Sequence, residues 1–283
     1  MKPDTDPADV SGHEREPIER AHLKDPADTT NTIFRYPAPD GLEDLMRRFW
    51  IPVWSVPAGQ GAPQRVLQYP VCLVVVAQDY ARFYGVVPGL STTRLTGDGW
   101  AVGVMFTPAA GYLLTGKPVA AFTDRYVDLS EVLGDDGIRL TRSVRDAMNR
   151  DPRSVDAHRA AMSVFDDLLN SFVPVDEEGH LINRVVAFVE DHPDVLRVEQ
   201  VRDEFDLSER ALQRLVHRRT GLTPKWLIQR RRLQEAAGRL RDRSMPLAEV
   251  AAVLGYADQP HFVRDFTRVV GMTPGAFAAR FNP

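Results

Sequence analysis

The chain has 283 residues, of which 43% are apolar, and it carries a formal net charge of −4 and a single cysteine. One cysteine excludes an internal disulfide and a cysteine-based zinc site, so Cys72 is expected to be a packed side chain. The longest apolar run, Val71–Ala77, is far shorter than the roughly 18 residues that a membrane span requires. With no apolar signal region at the N-terminus, the sequence predicts a cytoplasmic protein.

Residues 1–30 are rich in Asp, Glu, Pro, Arg and Thr and contain almost no large apolar side chains. Such a composition cannot bury enough apolar surface to offset the entropy of ordering the chain. We therefore predict a disordered leader and assign it no function.

Residues 31–137 predict a β-rich domain. Short runs of β-branched and aromatic residues are separated by Gly and Pro, and this spacing indicates a barrel or a sandwich. A helix is expected around Gly41–Trp50 and a second short helix from Ala110. The β-rich runs are Arg65–Tyr69, Val71–Ala77, Ala81–Val87, Ser91–Leu95 and Ala101–Phe106.

Aromatic residues of this barrel-like domain could line an apolar pocket for a small molecule. The candidate effector-pocket residues are Trp54, Tyr69, Tyr84 and Phe106. The alternative is that each of them packs in the core of the domain.

Residues 138–175 predict a helical connector. Apolar residues recur at helical spacing, among them Val144, Met148, Phe165 and Leu169, and Asp151-Pro152 interrupts the pattern. This apolar face could pair two subunits or pack on the β-rich domain, and the sequence leaves both open.

A unit occurs twice near the C-terminus, at Val198–Trp226 and Leu247–Ala276. Moving the second copy back by fifty positions superimposes Arg264 on Arg214. The same shift places Arg268 on Arg218, Gly271 on Gly221, Thr273 on Thr223 and Pro274 on Pro224. The apolar spacing in each copy predicts a helix, a tight turn and a second helix.

Local signals mark the turns and helix starts of both copies. Ser208 and Asp258 are suited to cap the second helix of each unit. Gly255 suits a turn that requires positive φ. Its counterpart Asp206 tolerates that region better than most residues.

Arg and Gln residues lie on the outward face of each second helix, with no carboxylate among those of the first unit. Arg can bind guanine and Gln can bind adenine in the major groove through paired hydrogen bonds. The predicted base-reading residues of the first unit are Arg210, Gln213 and Arg214. In the second unit Arg264 is the main polar reader, and Val263 can contact a thymine methyl group.

Residues further along these helices are predicted to contact phosphates, which position a protein without reading sequence. They are Arg218, Arg219, Thr223, Arg268 and Thr273. The alternative is that these Arg residues are scattered over a solvated helix face. It would explain Arg residues in a single copy of the unit better than Arg residues at matching positions in two copies.

Residues Lys225–Arg241 predict a connecting helix about 25 Å long. It could hold the two reading helices near one turn of DNA apart, roughly 34 Å, so that one chain reaches two successive major grooves. The run Arg230–Arg232 could add phosphate contacts, although a solvated face with one salt bridge is the more common role of such a run.

The charge is divided between the two parts of the chain. Residues 181–283 carry 17 Lys and Arg against 13 Asp and Glu, a net charge of +4. The remainder carries 18 against 26, a net charge of −8. The positive part coincides with the duplicated unit, as expected of a DNA-binding domain.

The stretch Leu247–Pro274, LAEVAAVLGYADQPHFVRDFTRVVGMTP, closely resembles the signature of the AraC-type (AraC/XylS) bacterial transcription regulators, and the resemblance extends over about Leu181–Phe281. It implies an all-α C-terminal domain at 181–283, with two helix-turn-helix units joined by a long helix. The family's base-reading positions fall on Arg210, Gln213, Arg214, Gln259, His261 and Arg264. Asp206 and Asp265 depart from the commoner Gly and basic residues.

The stretch from Gly103 to Val119, with Phe122-Thr-Asp and Val127-Asp-Leu, is similar to an uncharacterised N-terminal domain of some AraC-type regulators. It implies a sensor or effector domain. The fold class expected is therefore α+β and multidomain. Double-stranded DNA and an unknown small-molecule effector are the expected partners, with RNA polymerase and a second copy of the chain left open.

No catalytic, cofactor or metal site is predicted. The sequence has no Gly-x-Ser-x-Gly elbow, phosphate-binding loop or paired histidines at metal-binding spacing. One rival interpretation is a DNA-tethered repair or modification enzyme, which would need a reactive thiol at Cys72 or a metal site. Another is a regulator without a ligand, controlled by its abundance or by a protein partner.

Overall fold

Seven of the eight strands come before the first helix in the described part of the chain, and the eighth follows that helix. The computed structural model describes residues 28–67, 69–242 and 245–281, so most of the predicted leader lies outside the described residues. The strands are β1 (Asn31–Pro37), β2 (Met46–Val56), β3 (Ala62–Leu67), β4 (Leu73–Ala77), β5 (Ala81–Tyr84), β6 (Leu90–Leu95), β7 (Gly97–Phe106) and β8 (Tyr126–Asp128).

The strands form two sheets. Six of them pair antiparallel in the order β1-β2-β7-β4-β5-β8, and β3 pairs with β6 in a second sheet of two strands. The predicted β-rich domain is confirmed. Within the described residues, however, the strands do not close into a barrel, because β3 and β6 pair with each other and not with the larger sheet.

The helix predicted at Gly41–Trp50 is wrong. Tight turns run from Leu42 to Leu45, and β2 begins at Met46. Pairing of β2 with β1 on one side and β7 on the other satisfies its backbone groups and imposes a two-residue alternation. Phe49, Ile51 and Val53 therefore enter the main core.

Ten helices complete the described part of the chain. They are α1 (Ala110–Thr115), α2 (Leu129–Met148), α3 (Val155–Leu169), α4 (Glu177–Asp191), α5 (Val198–Glu204), α6 (Glu209–Thr220), α7 (Pro224–Asp242), α8 (Leu247–Val253), α9 (Gln259–Val270) and α10 (Pro274–Phe281), with 3-10 turns at Val119–Phe122 and Asn170–Phe172. No helix in these ranges combines the length and apolar character that crossing a bilayer requires. The helix predicted from Ala110 is confirmed as α1.

The apolar positions of the connector pack on the large sheet. Val144 and Met148 of α2 and Phe165 and Leu169 of α3 are buried in the main core. The rings of Phe165 and Phe49 lie 5.7 Å apart in an edge-to-face contact. Of the two alternatives for this face, the structure has the one in which it packs on the β-rich domain.

The two helix-turn-helix units belong to different cores. Val201 of α5 and Leu212 and Val216 of α6 join the main core, together with the large sheet and α2 to α4. The second unit forms a separate core with the C-terminal half of α7, and among the described residues of the β-rich domain Leu67 and Leu90 reach it.

Candidate nucleic-acid interface

The turns and helix starts of the two units match. Asp206 has a φ of 49° and Gly255 a φ of 71°, so both turns pass through the left-handed region, as predicted. Ser208 accepts a hydrogen bond from the Ala211 amide at 3.2 Å, and Asp258 accepts one from the His261 amide at 2.7 Å. Both predicted caps are confirmed, and each fixes the start of the second helix of its unit.

The outward face of α6 presents Arg210, Gln213 and Arg214 to solvent. Gln213 donates to the Glu209 carboxylate through its Nε2 atom at 3.0 Å. Glu209 lies in the first turn, where the helix dipole favours a negative charge. The amide of Gln213 could reach a base edge only by giving up this contact.

The corresponding face of α9 centres on a carboxylate. Gln259, His261 and Arg264 are exposed, whereas Val263 is half-buried and packs against the second core. Asp265 accepts hydrogen bonds from Gln229 at 2.7 Å and Arg268 at 3.0 Å. Asp265 departs from the basic residue that is commoner at this position in AraC-type regulators. Its carboxylate pairs with Arg268 on the same helix.

Arg268 is accordingly exposed but already paired. Its side chain is 65% exposed, so a phosphate can approach it beside Asp265. His261 also lies near this carboxylate, with Nε2 at 3.8 Å from Asp265 Oδ2. The face of α9 is thus less positive than its Arg residues alone suggest.

The prediction of a phosphate contact at Arg219 is wrong. Its side chain is 1% exposed and forms ion pairs with Asp176 and Glu178. Burial tends to raise the pKa of Asp176, but the hydrogen bond and charge of Arg219 outweigh it and hold this pKa below 3.8. A phosphate cannot reach a guanidinium that is enclosed and neutralised in this way.

The neighbouring Arg218 is also held within the chain. Its guanidinium donates to the Tyr112 hydroxyl at 2.6 Å and to Glu178 at 3.3 Å. It also lies 4.4 Å from the centre of the Tyr112 ring. These contacts dock the C-terminal end of α6 on α1 and α4.

Sequence reasoning missed this docking, although one signal was present. The fifty-residue offset places Val269 at the position of Arg219, and Val269 is half-buried. An apolar counterpart indicates an inward position, so Arg219 could have been removed from the phosphate contacts. The acidic partners at Asp176 and Glu178 lie far away in sequence and gave no such signal.

Thr223 and Thr273 begin helices. Their hydroxyls accept hydrogen bonds from the amides of Trp226 and Ala276, each at 3.2 Å. Both side chains belong to exposed residues, so each hydroxyl can still donate to a phosphate. Capping explains their recurrence without any contact to DNA.

The solvated face expected for Arg230–Arg232 is wrong. Arg230 and Arg231 are buried, and Arg232 is half-buried with its guanidinium 3.9 Å from the centre of the Tyr256 ring. Arg230 forms an ion pair with Glu190 at 3.5 Å. These residues hold α7 against its neighbours, which excludes the alternative of phosphate contacts for Arg230 and Arg231 in this arrangement.

A second candidate site is a cavity of about 220 Å³ between the two sheets. Its wall is mostly apolar and aromatic and includes Trp54, Tyr69 and Tyr84. Phe106 does not line it. Along β7, Met105 faces the cavity, so the next residue, Phe106, enters the main core on the opposite face.

Two glycines of β7 make room for the tryptophans of the cavity. Gly103 pairs with Trp50 and Gly99 pairs with Trp54 across β2 and β7. A Cβ atom at either glycine would collide with the indole opposite it. The indoles can therefore lie flat across the sheet, where they form part of the cavity wall.

Comparisons with known proteins agree with this division of the chain. Residues 202–280 match a helix-turn-helix domain family, and residues 34–128 match a domain of unknown function, DUF6597. The HTH-type transcriptional activator RhaS of Escherichia fergusonii is 36% identical over 107 residues, which are 37% of this chain and 38% of that protein. Its Escherichia coli O1:K1 counterpart is 35% identical over 101 residues, covering 35% and 36%.

The chain thus matches little more than a third of the length of these relatives. Among solved structures, a probable AraC family transcriptional regulator from Rhodopseudomonas palustris has 25% identity and a TM-score of 0.32, covering 35% of this chain and 94% of that one. ToxT from Vibrio cholerae has 12% identity and a TM-score of 0.39, covering 88% and 97%. Neither structure superposes closely on the whole chain.

The fold defines the class of the protein as one with two helix-turn-helix units joined by a single helix. The sequence of these units narrows that class further. The chain carries a helix-turn-helix domain of the AraC type at residues 202–280, and an uncharacterised domain precedes it at residues 34–128.

Proposed function

We propose that the protein is a sequence-specific transcription regulator that binds double-stranded DNA through α6 and α9. The observation that carries this proposal is the exposed set Arg210, Gln213 and Arg214 on α6, in register with Arg264 on α9. Arg and Gln can each form two hydrogen bonds to one base, which discriminates between base pairs by about 1–3 kcal/mol. The RhaS relatives, which are named transcriptional activators, support the same function.

The proposal assigns base reading to Arg210, Gln213, Arg214, Gln259, His261, Val263 and Arg264, and phosphate contact to Arg218, Thr223, Arg268 and Thr273. Arg219 is not among the phosphate-contacting residues because it is buried. Arg218 can serve only by leaving Glu178 and Tyr112. RNA polymerase and a second copy of the chain stay open as further partners.

The test is selection of bound fragments from a random double-stranded DNA pool with the purified full chain at moderate salt. Two conserved blocks about ten base pairs apart are expected, because each reading helix occupies its own major groove. Recovery of unrelated fragments, or of one block only, would contradict two-groove reading.

We further propose that the cavity between the two sheets binds a small-molecule effector. Its mostly apolar wall with a few polar groups, including the phenol of Tyr69, is typical of small-molecule sites. A metabolite library screened by thermal shift tests this proposal. A hit should lose its effect in Ala101→Leu, which fills the cavity wall, and should change DNA affinity. The absence of any hit would favour the regulator without a ligand.

The rival enzyme interpretation finds no support at its only thiol. Cys72 is 2% exposed, and burial raises its pKa to about 12, so the nucleophilic thiolate is disfavoured at neutral pH. Loss of DNA-linked activity in a folded Cys72→Ser variant would revive this interpretation.

A further inference from the structure

The connecting helix α7 touches the β-rich domain along one face. Trp226, Arg230 and Gln234 are spaced by four residues and therefore share this face. Trp226 donates to the Pro88 carbonyl at 3.0 Å, and Gln234 donates to the Leu67 carbonyl at 3.4 Å. Since Leu67 pairs with Leu90 across β3 and β6, both contacts lie at one end of the small sheet.

Between these two contacts, Arg230 meets the wall of the cavity. Its guanidinium lies 4.0 Å from the centre of the Tyr69 ring, and Tyr69 is a cavity-lining residue. Both side chains are buried. A single aromatic ring therefore separates the cavity from the helix that joins the two reading units.

The position of Arg230 is tightly constrained. Its ion pair with Glu190 at 3.5 Å is shared with Arg47, which lies 2.9 Å from the other oxygen of that carboxylate. A buried cation cannot move away from such partners without losing their compensation for its lost hydration. If the Tyr69 ring moves, Arg230 and α7 must therefore move with it, or the contact between the Tyr69 ring and the Arg230 guanidinium must break.

On its other faces α7 contacts both reading units. Leu227 and Ile228 enter the core shared with α6, and Gln229 donates to Asp265 of α9 at 2.7 Å. A shift of α7 consequently changes the position of α6 relative to α9.

We propose that the stack of Tyr69 on Arg230 couples the cavity to the DNA-reading surface, so that the contents of the cavity set the preferred spacing between the two DNA blocks. This inference rests on the proposed function. In it, Tyr69 and Arg230 do not contact DNA but hold α7, and through it the two helix-turn-helix units, in position. It identifies a mechanical contact by which this cavity regulates DNA recognition.

The test measures spacing discrimination with the full chain. This quantity is the ratio of the Kd for a two-block duplex with one inserted base pair to the Kd for the optimal duplex. A duplex with a single block serves as the control, because a folding defect weakens binding to every duplex whereas a shift of α7 changes only the ratio.

Arg230→Met should lower the ratio by about fivefold or more, the lower end of couplings between distinct sites. Its single-block Kd should change by less than about twofold, within the scatter of independent substitutions. Glu190 keeps Arg47 as a partner in this variant. Tyr69→Leu should act in the same way.

Tyr126→Leu is the matched control. It also removes a tyrosine ring that stacks on an arginine, since the Arg82 guanidinium lies 3.9 Å from its centre, but Tyr126 lies on β8 and does not line the cavity. It should leave the ratio unchanged within about twofold. The double variant Tyr69→Leu/Arg230→Met should lose no more than either single variant.

Filling the cavity provides an independent test. Ala101→Leu should alter the ratio in the otherwise unchanged protein and have no effect in Arg230→Met. Equal effects of Tyr69→Leu and Tyr126→Leu, or additive effects of Tyr69→Leu and Arg230→Met, would overturn the inference while leaving the proposed function intact. If Arg230→Met does not fold, the comparison of Tyr69→Leu with Tyr126→Leu decides the question by itself. Failure of the unchanged protein to bind two-block DNA would instead overturn the proposed function, and the inference with it.

Discussion

The two helix-turn-helix units share their local construction and differ in what surrounds them. Both have a left-handed turn residue, an N-cap and a glycine at the end of the reading helix, with φ of 72° at Gly221 and 76° at Gly271. The first unit belongs to the core of the β-rich domain, whereas the second has a core of its own. Duplication thus reproduced the units but not their environments.

The equivalent residues Arg218 and Arg268 make the consequence concrete. Arg218 is held by Glu178 and Tyr112 from other elements, whereas Arg268 is held only by Asp265 on its own helix among the described contacts. A Cβ atom at Gly221 would collide with the Thr123 hydroxyl and lie tightly against Ala120. At Gly271 the nearest atom to such a Cβ would be 4.0 Å away, on Leu90. Equal motifs can therefore differ in the charge that they offer to DNA.

The largest expected effect is a loss of stability that differs between equivalent variants of the first and second units. Arg219→Ala should lower the free energy of unfolding by about 3 kcal/mol. This is the low end of the range for breaking a buried ion pair, because the side chains of Asp176 and Glu178 are partly exposed to solvent. Val269→Ala, the equivalent change in the second unit, should cost about 1 kcal/mol. Urea denaturation of the full chain measures both. Equal losses would mean that the two units are docked alike.

The pH dependence of stability provides a control for the same cluster. Because the pKa of Asp176 is lower in the folded protein than its ordinary 3.8, its ionised form stabilises the fold above that value. This contribution disappears as the pH falls below about 4. Arg219→Ala should therefore weaken the dependence of stability on pH in this window.

Base preference should change separately in each block of the DNA site. Arg214→Ala should flatten the preference at its position by about 1–3 kcal/mol, and Arg264→Ala should do the same in the other block. Binding to a series of base-substituted sites measures this. A preference that survives unchanged in its block would remove that residue from the readers.

The turns should respond in opposite directions. Gly255→Ala places a side chain at a φ of 71° and should destabilise the protein by about 1 kcal/mol. Asp206→Gly relieves the same strain at a φ of 49° and should be neutral or stabilise by up to about 0.5 kcal/mol. Thermal unfolding compares them, and stabilisation by Gly255→Ala would contradict the assignment of equivalent turns.

The smallest effect concerns salt. Arg268→Ala should lower the slope of log affinity against log salt by about one unit, as expected for one lost phosphate contact. Arg218→Ala should change it less, because Glu178 already neutralises that guanidinium. Glu178→Gln should release Arg218 and raise the slope. A greater loss of slope in Arg218→Ala than in Arg268→Ala would show that docking does not limit Arg218.

Much of the second half of the chain could be predicted. The repeat, the caps at Ser208 and Asp258 and the turn at Asp206 are local features, and the connecting helix expected at Lys225–Arg241 is observed at Pro224–Asp242. The helix expected at Gly41–Trp50 failed because strand pairing of β2 overrides local propensity. The prediction that Phe106 lines the pocket failed because the seven residues before it on β7, 99–105, are all buried, so the sequence there shows no alternation between polar and apolar residues.

The sequence by itself determined the two helix-turn-helix units, their turns and the helix between them, because each depends on side chains within a few residues of one another. The tertiary structure decided which cations remain available to DNA. Arg219 and Arg230 read as surface residues along the chain. In the fold, Asp176 at the N-cap of α4 and Glu178 enclose Arg219, and Glu190 of α4 and Tyr69 of the β-rich domain enclose Arg230. Burial of a charge depends on partners that folding brings from distant parts of the chain, and local spacing carries no record of them.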